Sequence, residues 1–308
     1  MFAAPPVIKT EVFARVPENL RKSGIRSNWI DNQPGLNHTH SFLEGPSFDL
    51  DGNLYCVDIA HGRIFKVSNE GVFDVVTEYD GWPNGLKIDK HGQIFIADYK
   101  HGIMKLDPKT GRVEAVLERY RAERFKGVND LVFASNGDMY FTDQGLSGLH
   151  DPTGRVFRYR ESGVLDCILD NVPSPNGLVL SKDEKSLYLA VTRANAVWRV
   201  PFMPDGGVAK VGLYVQMTGG SGPDGMALDN EGGLAVAHVG FGVVWHFCPR
   251  GEPLARIASC EGMLTTNMAY GGADNRDLFI TESETGTILR AKLDVPGREM
   301  YSHMKPRL

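Results

Sequence analysis

The chain has 308 residues, of which 42% are hydrophobic and 23% are charged, which is the profile of a globular protein with a full core. Its formal net charge is −5, without the basic block or stripe that nucleic-acid binding requires. The sequence has neither an apolar run of about 18 residues nor the basic and apolar regions of a signal peptide, so a cytoplasmic location without membrane contact is the default expectation.

Short runs rich in β-branched and aromatic residues recur along the chain, 40 to 48 residues apart. They are LYCVD at residue 54, IFIAD at 94, MYFTD at 139, LYLAV at 187, LAVAH at 234 and LFITE at 278. Most follow a turn rich in Gly, Asp or Asn, so each is predicted to be the second strand of a β-hairpin. A third short strand follows each run, and most repeats add a fourth. The pattern predicts an all-β chain: one domain over residues 1–308, a six-bladed β-propeller with four-stranded antiparallel blades.

Few residues follow ILRAKL, the third strand of the sixth repeat, so this repeat lacks an obvious fourth strand. Residues 7–16, VIKTEVFARV, resemble the fourth strands of the other repeats. We therefore expect the N-terminal strand to close the ring as the outer strand of the last blade. Residues 298–304, REMYSHM, are the competing candidate.

An acid or an amide stands ten or eleven residues before each run, and we call these six the ring residues. They are Glu44, Asn84, Asn129, Asn176, Asp224 and Asn267. Because the first strand of each propeller blade lines the central channel, their side chains are predicted to converge at one height on its axis. A single Asn or Asp often only makes a turn before a strand. Six in one register, without His or Cys, instead indicate the hard oxygen ligands that Ca²⁺ prefers.

The segments around these residues resemble the senescence marker protein (regucalcin)/gluconolactonase/luciferin-regenerating enzyme family of six-bladed propellers. The resemblance covers nearly the whole chain in four ordered segments, LEGPSFDLDGNLYCVDIAHGRIFKV, GVNDLVFASNGDMYFTDQG, SPNGLVLS and GPDGMALD. It implies that Glu44, Asn176 and Asp224 hold a catalytic divalent cation, and that Asn129 contacts the cation or the substrate. The implied cation is Ca²⁺ or another divalent ion such as Mn²⁺, Zn²⁺ or Fe²⁺.

The same resemblance implies a metal-dependent hydrolase for small-molecule lactones, whereas related propellers cleave phosphoester-like bonds on a similar site. Asp224 would act as the general base for water or as the nucleophile, and the sequence leaves both routes open. Asp130 follows a ring residue directly, so it either orients substrate or water or only caps its turn. Regucalcin-like members carry an Arg two residues before Asn129, where this chain has Gly127, so that contact does not favour a sugar lactone.

Residues 18–43 are too long for a simple connection, and we predict that they form a lid at the metal face. Within this loop Trp29, His38 and His40 are candidates for shaping the substrate pocket, together with Asn84 in the ring. The last residue of each predicted hairpin should lie at the same face, and it either orients the residues of the site or only binds a neighbouring loop. These hairpin ends are Asp58, Asp98, Asp143, His238 and Glu282.

A rival interpretation is a non-catalytic propeller that binds a partner protein and holds a structural calcium ion. Only blades one and five supply ring carboxylates, which leaves part of a cation's coordination shell for a substrate and favours the enzyme. The sequence predicts neither the particular lactone nor an oligomeric state.

Overall fold

The computed structural model describes residues 4–33, 35–36 and 39–304. Over this part of the chain, six sheets of four or five strands and one two-stranded sheet account for nearly all regular structure. In four of the six large sheets the strands stand in chain order from the channel outward, and the other two sheets add an N-terminal strand at the outer edge, which is the arrangement of propeller blades. The predicted all-β, six-bladed architecture is confirmed.

The strands have the following bounds, in chain order. Two strands precede the first blade: β1 (Val7–Lys9) and β2 (Glu11–Arg15). Blade one contains β3 (Leu43–Phe48), β4 (Leu54–Asp58), β5 (Arg63–Val67) and β6 (Phe73–Glu78). Blade two contains β7 (Pro83–Ile88), β8 (Ile94–Asp98), β9 (Gly102–Asp107) and β10 (Arg112–Leu117), and a small hairpin follows it, β11 (Arg119–Tyr120) and β12 (Glu123–Arg124). Blade three contains β13 (Val128–Phe133), β14 (Met139–Asp143), β15 (Gly154–Tyr159) and β16 (Leu165–Val172).

The second half of the chain repeats this arrangement. Blade four contains β17 (Pro175–Leu180), β18 (Ser186–Val191), β19 (Ala196–Pro201) and β20 (Gly212–Gln216). Blade five contains β21 (Gly222–Leu228), β22 (Leu234–Val239), β23 (Val243–Phe247) and β24 (Pro253–Ala258), and blade six contains β25 (Thr265–Gly271), β26 (Asp277–Glu282) and β27 (Thr287–Lys292).

Helical structure is limited to short turns in the described residues. One α-helical turn spans Asn28–Asp31, and four 3₁₀ turns span Glu18–Leu20, Ile59–His61, Thr192–Ala194 and Tyr301–His303. Within the described ranges, no helix is long and apolar enough to cross a membrane.

The N-terminal segment is divided between two blades. Strand β2 pairs antiparallel with β27 in blade six, whereas β1 pairs in parallel with β24 at the outer edge of blade five. The chain crosses between the two sheets at Thr10, whose backbone N–H and Oγ1 both donate to the carbonyl of Ala258, at 3.1 and 3.0 Å. The N-terminal segment therefore supplies the outer strand of the last blade, as predicted, only through residues 11–15, whereas residues 7–9 join blade five instead. The competing segment, 298–304, contains a 3₁₀ turn and no strand.

The first strand of every blade is irregular at its ring residue. The pairing with the second strand shifts register between Glu44 and Ser47 in blade one and between Pro223 and Met226 in blade five, and the other four blades shift at equivalent positions. A β-bulge of this kind turns a side chain away from its regular direction. The fold therefore sets the ring residues apart from the regular sheet in all six blades.

The C-terminal segment covers the end of the channel where the first strands finish. Arg298 Nη1 donates to the carbonyls of Leu180 and Ser181 at 3.2 and 3.1 Å, and Ser302 Oγ donates to the carbonyl of Phe48 at 3.1 Å. A largely apolar cavity of about 120 Å³ remains between this segment and the ring. The ring residues therefore face the other end of the channel, where the first strands begin, and we call that end the mouth.

Candidate active site

The structure places all six predicted ring residues near the mouth ends of the first strands. Four of them are buried, with exposed fractions between 2% and 8%: Glu44, Asn129, Asn176 and Asn267. Asn84 and Asp224 are partly exposed. Asp224 is therefore the ring carboxylate with the better access to solvent.

Asp130 belongs to the same cluster, although it stands one position beyond a ring residue. The amide Nδ2 of Asn267 donates to Glu44 Oε2 at 2.9 Å and lies 3.3 Å from Asp130 Oδ2. Blades three and six face each other across the channel, so this contact spans the axis. Backbone N–H groups fix both orientations, because Leu131 donates to Asp130 Oδ1 and Met268 donates to Asn267 Oδ1, each at 2.8 Å.

Burial raises the pKa values of the three carboxylates in this cluster. Burial, assisted by the charge of Asp130, raises the pKa of Glu44 to about 8. Burial also raises the pKa of Asp130, and burial together with the charges of Glu44 and Asp130 raises the pKa of Asp224. The ammonium group of Lys87 opposes the shifts of Glu44 and Asp130. Three desolvated acids at one place are costly unless a cation or protons neutralise them.

The chemistry of these side chains fits a hard divalent cation. Carboxylate and amide oxygens are the ligands that Ca²⁺ takes, six to eight at about 2.3–2.6 Å. In the part of the chain that the structure describes, no group of three or more His, Cys, Asp or Glu side chains is arranged to hold a metal ion. A cation here would therefore need amide oxygens, such as that of Asn176, alongside the carboxylates of Glu44 and Asp224.

Asn129 lies in a separate hydrogen-bond chain. Its Nδ2 donates to Gln144 Oε1 at 3.2 Å, and Gln144 Nε2 donates to Ser174 Oγ at 3.0 Å. Sequence reasoning missed Gln144 and Ser174. Two positional signals were available: Gln144 directly follows the hairpin end Asp143, and Ser174 stands two residues before the ring residue Asn176.

The hairpin ends bind the backbone of the mouth loops. Asp58 accepts from the N–H of Phe42 at 2.7 Å, Asp98 accepts from Trp82 at 3.1 Å, and Asp143 accepts from Gly127 at 2.8 Å. The other two make similar contacts, because Glu282 accepts from the N–H of Glu284 and His238 Nε2 lies 2.8 Å from the carbonyl of Gly219. These residues shape the site through the loops that lead into the first strands.

The predicted lid packs onto blades one and two. Trp29 is buried, and its ring centroid lies 4.9 Å from that of Phe42. His40 is partly exposed, with Nδ1 2.8 Å from Ser41 Oγ. His38 lies outside the described residues. Whether Trp29 and His40 contact substrate stays a prediction, although the packing of Trp29 indicates a role in holding Phe42 and the loop.

Glycines directly after four of the ring residues let adjacent first strands approach closely. They are Gly45, Gly85, Gly177 and Gly225. A Cβ at Gly85 would lie 2.5 Å from Asp130 Oδ1, and a Cβ at Gly225 would overlap the side chain of Asn267 and lie 2.6 Å from its Cα. The absent side chains therefore leave the space that Asp130 and Asn267 occupy.

We expect Gly225→Ala to destabilise the protein by about 1–3 kcal/mol, because the added methyl group overpacks the ring. Displacing Asn267 should also remove its bonds to Glu44 and Asp130 and lower activity. Urea unfolding measures the stability change. Gly212→Ala is the matched control, since a Cβ there meets a single atom within 4 Å, the carbonyl oxygen of Lys210 at 3.9 Å. Equal stability of the two variants would contradict the packing argument.

Together, fold and site define a class of protein: a six-bladed propeller with a buried cluster of acids and amides at the mouth of its channel. A sequence profile described as the SMP-30/Gluconolactonase/LRE-like region matches residues 42–284, and the chain belongs to this family.

Curated relatives agree with this assignment. Lactonase drp35 of Staphylococcus epidermidis is 33% identical over 228 residues, which cover 70% of this chain and 69% of the relative. The gluconolactonase of Zymomonas mobilis is 33% identical over 227 residues, covering 68% of this chain and 63% of the relative.

Solved structures support the fold. A calcium-binding protein, regucalcin, from Agrobacterium tumefaciens superposes with a TM-score of 0.75 at 22% identity, covering 97% of this chain and 99% of that one. A gluconolactonase from Xanthomonas campestris gives a TM-score of 0.74 at 22% identity, covering 93% of this chain and 99% of that one.

Proposed function

We propose that this protein is a lactone hydrolase that works with a divalent cation, Ca²⁺ being the first candidate. The observation that carries the proposal is the cluster formed by the buried Glu44 and Asp130 with the partly exposed Asp224, flanked by the amides of Asn176 and Asn267. The names lactonase and gluconolactonase of the relatives support the same reaction class.

Glu44, Asn176 and Asp224 would hold the cation, with Asn129 or Asp130 beside it. When bound, the cation supplies Lewis-acid polarisation of the lactone carbonyl and stabilises negative charge on its oxygen. Asn267 keeps Glu44 and Asp130 in place through its two amide contacts. Gln144 Oε1 accepts a hydrogen bond from Asn129 Nδ2, and this bond fixes the orientation of the Asn129 amide before substrate arrives.

Asp224 handles the proton or the attack, because it is the ring carboxylate that is partly exposed. As a general base it would take a proton from a water whose oxygen attacks the carbonyl carbon; the ring C–O bond then breaks, and the proton passes to the departing alkoxide. As a nucleophile it would instead bond to the carbonyl carbon while the ring C–O bond breaks; a water would then give a proton to the departing alkoxide and its hydroxide to the acyl carbon of the resulting anhydride, which releases the hydroxy acid and restores Asp224.

A panel of γ- and δ-lactones with a pH indicator tests the proposal, because hydrolysis releases one carboxylic acid per turnover. We expect acid release from at least one lactone at a rate that scales with protein concentration. An aryl phosphotriester belongs on the same panel, since the site resembles those that cleave phosphoester-like bonds. If no lactone were hydrolysed, the rival binding module with a structural calcium ion would be favoured.

The unequal members of the ring give a sharper test of the ligand assignment. Asn176→Ala removes a proposed cation ligand and should reduce kcat/KM strongly, whereas Asn84→Ala removes a proposed substrate contact and should reduce it less. The two variants are matched, since both truncate the Asn of a PNGL segment. Thermal melts show whether each is folded. Equal losses in two folded variants would contradict the assignment.

A further inference from the structure

One part of the mouth is lined by the aromatic residues Phe42, Trp82 and Tyr99, which we call the aromatic side. The residues two positions before the ring residues are Phe42, Trp82, Gly127, Ser174, Gly222 and Thr265. Because each stands two residues before a ring residue, at the start of a first strand or just before it, this layer lies nearer the mouth than the ring does. The large side chains of this layer are Phe42 before blade one and Trp82 before blade two, and both are partly exposed.

A tyrosine from blade two extends this aromatic side over blade three. A Cβ at Gly127 would overlap the ring of Tyr99, so the tyrosine ring occupies the space that a side chain at 127 would fill. The ring centroids of Tyr99 and Trp82 are 6.1 Å apart, and the N–H of Tyr99 donates to the Trp82 carbonyl at 2.9 Å. Tyr99 itself remains partly exposed.

The aromatic side is held in place before any substrate arrives. The three carboxylates Asp58, Asp98 and Asp143 accept from the backbone N–H groups of Phe42, Trp82 and Gly127. Trp29 supports Phe42 from behind, with 4.9 Å between ring centroids.

The rest of this layer has small side chains, and its two hydroxyl groups are buried and bonded within the protein. In blade four the equivalent position is Ser174, whose Oγ accepts from Gln144. In blade six it is Thr265, whose Oγ1 donates to the carbonyl of Val243 at 3.1 Å. A substrate bound over the ring would therefore meet aromatic rings toward blades one to three and small side chains toward blades four to six.

We infer that the aromatic side, with Tyr99 as its determining residue, selects lactones that carry an apolar substituent over polyhydroxylated sugar lactones. The inference rests on the proposed lactone hydrolysis and names its substrate class. An alkyl or aryl substituent gains free energy when it leaves water against these rings. The hydroxyl groups of a sugar lactone would lose hydrogen bonds to water there without finding partners on the rings.

The test compares kcat/KM for δ-decalactone, unsubstituted δ-valerolactone and glucono-δ-lactone. We expect the unmodified protein to prefer δ-decalactone over δ-valerolactone by about tenfold or more, since a few partly buried methylene groups suffice for that ratio. Tyr99→Ala should reduce the preference to about twofold, with a larger loss for δ-decalactone than for δ-valerolactone. Tyr99→Phe keeps the ring and should retain the preference.

Tyr159→Ala is the matched control, because it also removes a partly buried tyrosine, at the end of β15 away from the mouth. It should leave the substrate preference unchanged, and thermal melts show whether all variants are folded.

Hydrolysis of δ-valerolactone without any preference for δ-decalactone in the unmodified protein would overturn the inference and leave the proposed function standing. A similar loss on every lactone in folded Tyr99→Ala would overturn the role of Tyr99. No hydrolysis of any lactone would overturn the proposed function and this inference with it.

Discussion

Removing divalent cations with a chelator is expected to abolish lactone hydrolysis, and adding back Ca²⁺ or a comparable divalent ion should restore it. The reason is the cluster of Glu44, Asp130 and Asp224, whose pKa values are raised by burial, so that a bound cation would offset the cost of their charges. A divalent cation would convert them to ligands and supply the Lewis acid that the reaction needs. Initial rates before chelation, after it and after titration with each metal measure the effect.

Thermal melts provide an independent measurement of the same interaction. A cation that binds the folded state and not the unfolded one stabilises the protein by about 2.7 kcal/mol at 100 times its Kd. The melting temperature should therefore rise with cation concentration in the unmodified protein and rise less in Glu44→Gln. Full activity in protein that elemental analysis shows to be metal-free would refute the Lewis-acid mechanism.

The blades were predictable because each one is a local repeat. The run LYCVD coincides with β4 (Leu54–Asp58) and IFIAD with β8 (Ile94–Asp98), since period-2 patterns and turn residues act over a few neighbouring positions. The register of the ring was predictable for the same reason. Counting back ten or eleven residues from each run reaches the same place in every blade.

Contacts across the channel were not predictable in this way. Asp130 and Asn267 are 137 residues apart, and their contact depends on the bulges that redirect both side chains and on the glycines beside them. Sequence reasoning left Asp130 between a substrate contact and a turn cap, whereas the structure places it in the acidic cluster. The division of residues 7–16 between two sheets has the same origin, because it is fixed by Ala258 far along the chain.

Tyr99 illustrates a related limit. The sequence shows Gly127 as the absence of a side chain, and only the fold shows that another residue fills the space. Tyr99 comes from the preceding blade, so no pattern within the third repeat could indicate it. Local signals thus gave the positions of the ring, and non-local packing determines what surrounds each position.

Asp224→Asn is expected to reduce kcat by a factor of about 10² to 10⁴, as for the loss of a positioned general base. The change keeps the shape of the side chain and one ligand oxygen while it removes the charge and the base. Asn already occupies four of the six ring positions, so blade five should accept it without unfolding. The measurement is kcat at saturating metal alongside a thermal melt, because an effect on the site must be separated from one on stability.

Asp170→Asn is the matched control, since it removes the same charge from an exposed position on β16 in blade three. It should leave kcat unchanged. Asp224→Asn should still bind the cation, but more weakly, because one carboxylate of the cluster has become an amide. A folded Asp224→Asn variant that binds the cation and hydrolyses lactone at nearly the parental rate would remove Asp224 from the mechanism. Asp130 would then be the carboxylate to test next, because it lies in the same cluster and its pKa is raised by the same burial.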